Sequence, residues 1–302
     1  MFDLLIRNTQ VLDGTGAPAY LADVAVKDGK IAAVGKLSGE AAETVDAAGL
    51  TLAPGFIDVH GHSDFFMPLD PARASKLLQG VTTELCGQCG LGPAPVTEQN
   101  YPVYHKYLSQ QGIPMYPDDR TFTSFSAYLS RMEQTPAGIN LAYFIPHGTV
   151  RLAVMGFSHD APDDRQLAQM RELVEDAMQA GALGLSTGLA YAPGRFAATD
   201  ELAALTEPVG RYGGVYTSHL RDQGDQLEQS VQEAIDIARR GGARVNVSHH
   251  KTVGEQNFGK VRKTTQMLHE ARIPATHDVY PYAASSTMLI STLPMAFAQL
   301  EP

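Results

Sequence analysis

Apolar residues follow two different patterns along this chain, and the pattern changes near residue 55. Before that point, residues 4–11, 22–26 and 30–34 form short apolar-rich runs, and Asp28 and Gly29 separate the last two. Because Asp-Gly tolerates the positive φ angles of a tight turn, these two runs predict a β-hairpin. Residues 1–54 are therefore predicted to form a small β module.

From residue 55 onward, short apolar strands alternate with amphipathic helices. The predicted strands cover residues 56–59, 81–85, 141–145, 183–186, 215–218, 245–248 and 275–280. Apolar residues at helical spacing predict helices that include residues 167–178 and 227–238, with Gly181 and Gly241 as their C-terminal stops. This alternation implies a parallel sheet, and the number of units favours a TIM-like (β/α)8 barrel over an open sheet.

The predicted barrel, residues 55–302, is incomplete because no credible eighth strand precedes residue 302. A barrel that lacks its last strand has open edges. We therefore expect either that the sequence is a fragment or that another chain supplies the remainder. Residues 94–134, with several prolines and tyrosines, are predicted to form an inserted loop-and-helix segment over the site.

Composition is that of an ordinary soluble globular protein, with 44% hydrophobic and 19% charged residues. The formal net charge of −10 gives no indication of nucleic-acid or membrane-surface binding. The sequence shows no signal peptide and no apolar run long enough to span a bilayer. Two cysteines cannot form a disulfide framework, so a reducing, cytoplasmic location is predicted.

Four histidines and one cysteine stand where predicted strands end: His60, His62, Cys89, His219 and His249. Residues two apart on a strand face the same way, so both histidines of the His-x-His pair can reach one metal ion. Active sites of β/α barrels lie at the C-terminal ends of the strands. Since thiolate and imidazole together favour zinc, these five residues are candidate zinc ligands.

Cys86 and Cys89 form a Cys-x-x-Cys motif, which can also be a redox pair or half of a zinc knuckle. A knuckle needs a second such pair, and the sequence has none. The surrounding glycines predict an irregular loop, whereas a thioredoxin-like motif opens a helix. Residues three apart on an extended chain face opposite sides, so Cys89 is the predicted metal thiolate and Cys86 a small core residue.

These motifs together resemble the amidohydrolase superfamily and, within it, the D-aminoacylases (N-acyl-D-amino-acid deacylases). The resemblance covers nearly the whole chain and is carried by residues 54–64, 80–90, 186–195, 218–222, 248–251 and 278–282. Gly-x-Cys-Gly and Ser-His-His-Lys are its most specific motifs, because related hydrolases usually bridge their metals with a carboxylated lysine.

The resemblance implies zinc-dependent hydrolysis of the amide of N-acyl-D-amino acids to a carboxylate and a free D-amino acid. It implies a tight zinc site formed by Cys89, His219 and His249. A second, weaker site would be lined by His60 and His62 and would share Cys89. It also implies that the first residues form the N-terminal half of a β-sandwich.

Further roles follow from the same resemblance. Tyr280 would stabilise the developing oxyanion, a role that suits a hydroxyl donor. Lys251, Tyr191 and Ser286 would bind the substrate carboxylate. The family's general acid/base aspartate follows the eighth strand, so it is expected beyond residue 302, and this chain alone is expected to have little or no activity.

Two alternatives stay open at the level of the sequence. A related cyclic-amide or D-peptide hydrolase, such as a hydantoinase or a D-peptidase, would use a similar metal site on another substrate. An inactive zinc-binding scaffold or fragment would bind metal without hydrolysis. For the enzymes the expected partner is a small-molecule substrate.

Overall fold

The computed structural model describes residues 1–66, 74–109, 113 and 122–287. The chain divides into two compact units, Met1–Phe56 and Ile57–Pro302. The division lies close to the boundary predicted between residues 54 and 55, and that boundary stays a prediction.

The N-terminal unit contains a five-stranded sheet, formed by β1 (Phe2–Val11), β2 (Tyr20–Lys27), β3 (Lys30–Gly35), β4 (Ala41–Asp46) and β5 (Thr51–Leu52). Strand β2 pairs antiparallel with β1 and β3, whereas β4 and β5 pair parallel with β1. Asp28 and Gly29 have φ angles of 52° and 70°, which confirms the predicted hairpin. The prediction missed β4 because this strand is almost wholly exposed and lacks an apolar pattern.

From residue 56 onward, strands alternate with helices. These strands are β6 (Phe56–Asp58), β7 (Val81–Cys86), β8 (Asn140–Tyr143), β9 (Ile145–Pro146), β10 (Gly184–Gly188), β11 (Val215–His219), β12 (Arg244–Val247) and β13 (Ala275–His277). Neighbours in chain order pair side by side, β6 to β8 in one sheet and β9 to β13 in another. Strand β7 pairs parallel with β8, and each neighbouring pair from β9 to β13 is also parallel.

Phe144 joins the two sheets, so β8 and β9 together form the strand predicted at residues 141–145. Its backbone nitrogen donates to Cys86 O (3.0 Å), and the nitrogen of Leu183 donates to Tyr143 O (2.8 Å). Within the described residues, the strands thus occupy the seven successive positions predicted for the barrel. Their C-terminal ends share one edge because the pairing is parallel.

The helices are α1 (Ala74–Leu77), α2 (Tyr101–Ser109), α3 (Phe125–Glu133), α4 (His147–Met155), α5 (Asp164–Gln179), α6 (Thr199–Arg211), α7 (Leu227–Gly241) and α8 (Lys260–His269). Short 3-10 turns cover Ser63–Phe65, Gly194–Phe196 and Glu255–Asn257. Gly181 follows α5 with a φ of 102°, as predicted. The prediction for Gly241 was wrong, because α7 includes this residue and its C-cap is Gly242. Glycine is required at position 241 because a Cβ there would lie 2.5 Å from Thr206 Cγ2.

The main hydrophobic core lies between the parallel strands and the helices α3, α5, α6 and α7. Strand residues such as Leu185 and Tyr216 are fully buried against helix residues such as Val174, Leu205 and Ile237. Strands covered on their outer face by helices read as continuous apolar runs, which is why the sequence identified them. This core fixes the strand ends that carry the candidate site.

The described part of the predicted inserted segment contacts loops at the C-terminal ends of the strands. Helix α2 buries Tyr104, Tyr107 and Leu108 in a second hydrophobic cluster. Tyr104 Oη donates to Gly92 O (2.7 Å), and Tyr107 Oη donates to Ala192 O (2.9 Å). Among the described residues, no helix is long and apolar enough to cross a membrane.

Candidate metal centre

Three candidate ligands from three strand ends converge at one edge of the parallel strands. Cys89 follows β7, His219 ends β11 and His249 follows β12. Their ligand atoms lie within 4.8 Å of one another. Cys89 Sγ is 3.6 Å from His249 Nε2, and the two histidine ring centroids are 4.4 Å apart. The structure therefore brings together the three residues expected to form one site.

The His-x-His pair forms a second group that shares the cysteine. The ligand atoms of His60, His62 and Cys89 also lie within 4.8 Å of one another. His60 Nε2 is 3.3 Å from Cys89 Sγ, and its ring centroid is 5.1 Å from that of His249. All five side chains predicted as ligands are thus neighbours, with the sulfur common to both groups.

The loop that carries Cys89 lies backbone against backbone on its neighbours. Cys89 has a left-handed φ of 56°, and Gly90 N donates to Ser186 Oγ (3.1 Å). A Cβ at Gly90 would lie 2.6 Å from Gly188 N, and one at Gly188 would lie 2.0 Å from Cys89 O. A Cβ at Gly148 would lie 2.4 Å from Gly90 O. This close approach holds the backbone of Cys89 and Gly90 against the end of β10.

Electrostatics favour a thiolate at Cys89. The residue is only 7% exposed, and burial raises the pKa of a thiol. Hydrogen bonds with His219, His249 and His60 outweigh this effect and hold the Cys89 pKa well below its usual range. Burial lowers the pKa of His60, but its contacts with Asp278 and Cys89 raise that pKa to about 10. A thiolate surrounded by imidazoles is a donor set that fits zinc.

The residues expected to bind substrate lie beside this cluster. Lys251 Nζ is 3.4 Å from His249 Nδ1 and 5.2 Å from the ring centroid of Tyr280. The Tyr191 ring centroid is 4.6 Å from that of His219. The ammonium group of Lys251 and the phenol ring of Tyr191 therefore border the candidate ligands, and the ring of Tyr280 lies next to that ammonium group.

Ser286 is placed less directly than the other predicted substrate-binding residues. It is exposed, and its neighbour Thr287 has its Oγ1 3.0 Å from Tyr191 Oη. The predicted role of Ser286 stays a prediction.

Sequence reasoning missed two polar side chains that contact the candidate ligands. Asp278 Oδ1 accepts a hydrogen bond from His249 N (2.6 Å), and Gln223 Nε2 is 3.1 Å from His249 Nδ1. Asp278 lies within the strand predicted at residues 275–280 and in a segment that carries the family resemblance, which was a usable signal. Gln223 lies in a loop, where the sequence gives no comparable signal.

Cys86 takes the position predicted for it, fully buried in the main core. Burial, together with the nearby Asp64 and Glu84, raises the pKa of its thiol well above the usual range. The pKa values of the two cysteines of the motif are therefore shifted in opposite directions.

The profile of the Amidohydrolase family matches residues 43–277. This chain belongs to the amidohydrolase family. Among curated relatives, a D-aminoacylase of Alcaligenes xylosoxydans xylosoxydans is 40% identical over 291 residues, covering 95% of this chain and 59% of that protein. An N-acyl-D-aspartate deacylase of the same organism is 39% identical over 293 residues, covering 95% of this chain and 57% of that protein.

Solved structures agree with the sequence relatives. A crystal structure of D-aminoacylase matches with a TM-score of 0.84 at 35% identity, over 93% of this chain and 59% of that one. An N-acyl-D-glutamate deacylase from Bordetella bronchiseptica, complexed with zinc and a phosphonate inhibitor, matches with a TM-score of 0.85 at 36% identity and the same coverage. These matches confirm the predicted family and barrel fold. The chain spans about three-fifths of the length of these relatives.

Proposed function

We propose that this protein is a zinc-dependent hydrolase of N-acyl-D-amino acids, releasing a carboxylate and a free D-amino acid. The observation that carries the proposal is the cluster of Cys89, His219 and His249, with the ammonium group of Lys251 3.4 Å from one of its rings. Such a site offers metal ligands and a cation for a carboxylate side by side. The names of the relatives support the same reaction and substrate class.

We assign the five clustered side chains to zinc. Cys89, His219 and His249 form the tight site, and His60 and His62 line a weaker site that shares the cysteine. The lowered pKa of Cys89 supports this assignment, because the thiolate is the metal-binding form. When bound, zinc supplies Lewis-acid chemistry that makes an amide carbonyl more electrophilic and a water molecule more acidic.

The remaining side chains bind and orient the substrate. Lys251 attracts the carboxylate of the amino-acid portion, and Tyr191 and Ser286 donate hydrogen bonds to it. Burial raises the pKa of Tyr191, so its phenol stays protonated and remains a donor. Tyr280 donates its hydroxyl hydrogen to the oxygen that gains negative charge during attack.

The general acid/base remains assigned to an aspartate outside residues 1–302. Asp278 is a poor candidate because its carboxylate is already engaged by His249, Asn246 and His60. Both cysteines are free and buried, which supports the predicted reducing, cytoplasmic location.

Elemental analysis and a substrate panel on the intact gene product test this function. The wild type and Cys86→Ala should retain zinc, whereas Cys89→Ala should lose it. The wild type should release D-methionine from N-acetyl-D-methionine or D-glutamate from N-acetyl-D-glutamate, with no release from the L-isomers. A zinc-loaded protein that hydrolyses only hydantoins or D-dipeptides, or nothing in the panel, would overturn the substrate assignment.

A further inference from the structure

One carboxylate contacts histidines from both ligand groups. Asp278 Oδ1 accepts a hydrogen bond from His249 N (2.6 Å) and lies 3.3 Å from His60 Nδ1. His249 belongs to the group with His219, whereas His60 belongs to the His-x-His pair. Asp278 follows β13, whereas His249 follows β12 and His60 follows β6.

The backbone of Asp278 is fixed on both sides. Its nitrogen donates to Val247 O (3.1 Å), and its carbonyl oxygen accepts from His250 N (2.8 Å). These bonds continue the parallel pairing of β12 and β13 beyond the end of both strands. The carboxylate is therefore presented from regular backbone, which holds a side chain more accurately than a free loop does.

Asn246 fixes the other oxygen of the carboxylate. Its Nδ2 donates to Asp278 Oδ2 (2.7 Å) and to Thr217 Oγ1 (3.2 Å), and its Oδ1 accepts from Thr276 Oγ1 (2.9 Å). An ionised carboxylate only accepts, so the amide nitrogen must face Asp278. Both polar atoms of the Asn246 side chain are hydrogen-bonded, and these bonds fix the orientation of the Asp278 carboxylate.

This orientation has a different consequence for each histidine. A carboxylate beside His60 Nδ1 keeps hydrogen on that nitrogen when the ring is neutral, so Nε2, which is 3.3 Å from Cys89 Sγ, is the nitrogen left to bind zinc. His249 has a left-handed φ of 35°, which is unfavourable for residues other than glycine. The bond from its backbone nitrogen to Asp278 offsets that cost.

We propose that Asp278 is a positioning residue for the whole metal centre, holding His60 through its ring and His249 through its backbone, with Asn246 holding Asp278. The proposal rests on the zinc assignment made above. It predicts that both zinc sites depend on a side chain that is itself no member of either ligand group.

Zinc affinity in the intact gene product tests this proposal. Asp278→Asn keeps the size of the side chain but replaces one accepting oxygen with a donor. We expect its zinc dissociation constant, measured by competition with a chelator, to rise 10- to 100-fold, as outer-shell substitutions at metal sites commonly produce. The visible spectrum of the cobalt(II)-loaded variant should show altered ligand-field and thiolate charge-transfer bands.

Matched variants separate positioning from general stability. Asp225→Asn removes an exposed carboxylate that bonds Asn257 and Gln256, and it should leave zinc affinity within twofold of wild type. Metal-free Asp278→Asn should unfold within a few degrees of the metal-free wild type. If it fails to fold, Asn246→Ala provides the second test, with an expected loss in affinity of three- to tenfold.

Three outcomes decide the matter. Wild-type zinc affinity and cobalt spectra in Asp278→Asn, or in Asn246→Ala where the first variant is unfolded, would overturn the positioning role alone. A wild type that binds no zinc would overturn the metal centre and this inference with it. Weaker zinc binding in Asp278→Asn with unchanged binding in Asp225→Asn would support both.

Discussion

The side chain of Glu84 occupies the space that any side chain at Gly61 would need. A Cβ at position 61 would lie 1.8 Å from Glu84 Oε1. Glu84 is fully buried on β7, where it accepts a hydrogen bond from Ser63 Oγ (2.5 Å) and pairs with Lys76 Nζ (3.5 Å). Gly61 N also donates to Leu85 O (3.0 Å). The residue between the two histidines therefore has to be glycine for the His-x-His segment to lie against β7.

Replacing Gly61 with alanine should disturb that segment. Because neither Glu84 nor the backbone can give way freely, we expect Gly61→Ala to lower the free energy of unfolding by about 2 kcal/mol, as overpacking commonly does. Gly259→Ala is the matched control, since a Cβ at Gly259 meets nothing within 4 Å. Urea denaturation measures both, and equal effects of the two substitutions would contradict the steric explanation.

Lys251 should affect substrate binding more than metal binding. Lys251→Met keeps much of the side-chain volume but removes the charge, and a charge-assisted hydrogen bond of this kind contributes about 2 kcal/mol. In the intact gene product, we expect the KM for an N-acyl-D-amino acid to rise at least tenfold, with zinc content unchanged. Lys260→Met is the control, because it removes the same charge from a lysine whose Nζ donates to Asp225 O instead. A wild-type KM in Lys251→Met would refute the assigned role.

Two glutamates of α6 offer a comparison of buried and exposed ion pairs. Glu201 lies between the fully buried Arg151 (2.5 Å) and His147 (3.0 Å), whereas Glu207 pairs with Arg171 (2.5 Å) at the surface. Glu201→Gln leaves a buried guanidinium group without its counter-charge and should cost about 3–5 kcal/mol. Glu207→Gln should cost less than about 1 kcal/mol. Thermal and urea unfolding of both variants would show whether the two losses differ as expected.

Asp64 should make the stability of the metal-free protein depend on pH. Burial raises its pKa to about 7, with Glu84 adding to the effect and His62 opposing it. Since the ordinary value is 3.8, the folded state binds more protons than the unfolded state between these two values. The contribution of Asp64 is complete below about pH 4 and is lost as the pH rises through about 7.

Comparison with Asp64→Asn isolates this effect. Relative to the variant, the wild type should lose up to about 1.4 kcal/mol of unfolding free energy per pH unit across that window. Urea denaturation in the presence of a chelator measures the difference. Asp236→Asn, on the exposed side of α7, serves as the control and should follow the wild-type pH dependence. A difference between wild type and Asp64→Asn that is the same at every pH would contradict the assigned cause.

The parts of this structure that depend on local pattern were predictable. The Asp28-Gly29 turn, the apolar strands and the histidines that end them are all visible in short stretches of sequence, and parallel pairing then brings the strand ends together. The family resemblance added roles for Lys251, Tyr191 and Tyr280. The structure places Lys251 and Tyr191 beside the candidate ligands and Tyr280 beside Lys251.

The parts that depend on contacts between distant residues were not predictable. Nothing near Glu84 in the sequence shows that its carboxylate lies under Gly61, because that contact arises only when β6 and β7 pair. In the sequence, Asn246 is only one polar residue within an apolar strand. Its role depends on its hydrogen bonds with Asp278 and Thr276, which only the fold brings close. Gly241 resembles a helix stop until the contact with Thr206 explains it.

The glycines that surround the cysteine loop also bear on how related sequences diverge. Gly90, Gly148 and Gly188 come from three separate segments. Gly148 and Gly188 leave room for the backbone of residues 89–90, and Gly90 leaves room for the backbone of residues 187–188. A change at any one of them alters the loop even where the cysteine is retained. We therefore expect the three positions to be conserved or replaced together. The three glycines should indicate more reliably than Cys89 alone which distant relatives have this centre.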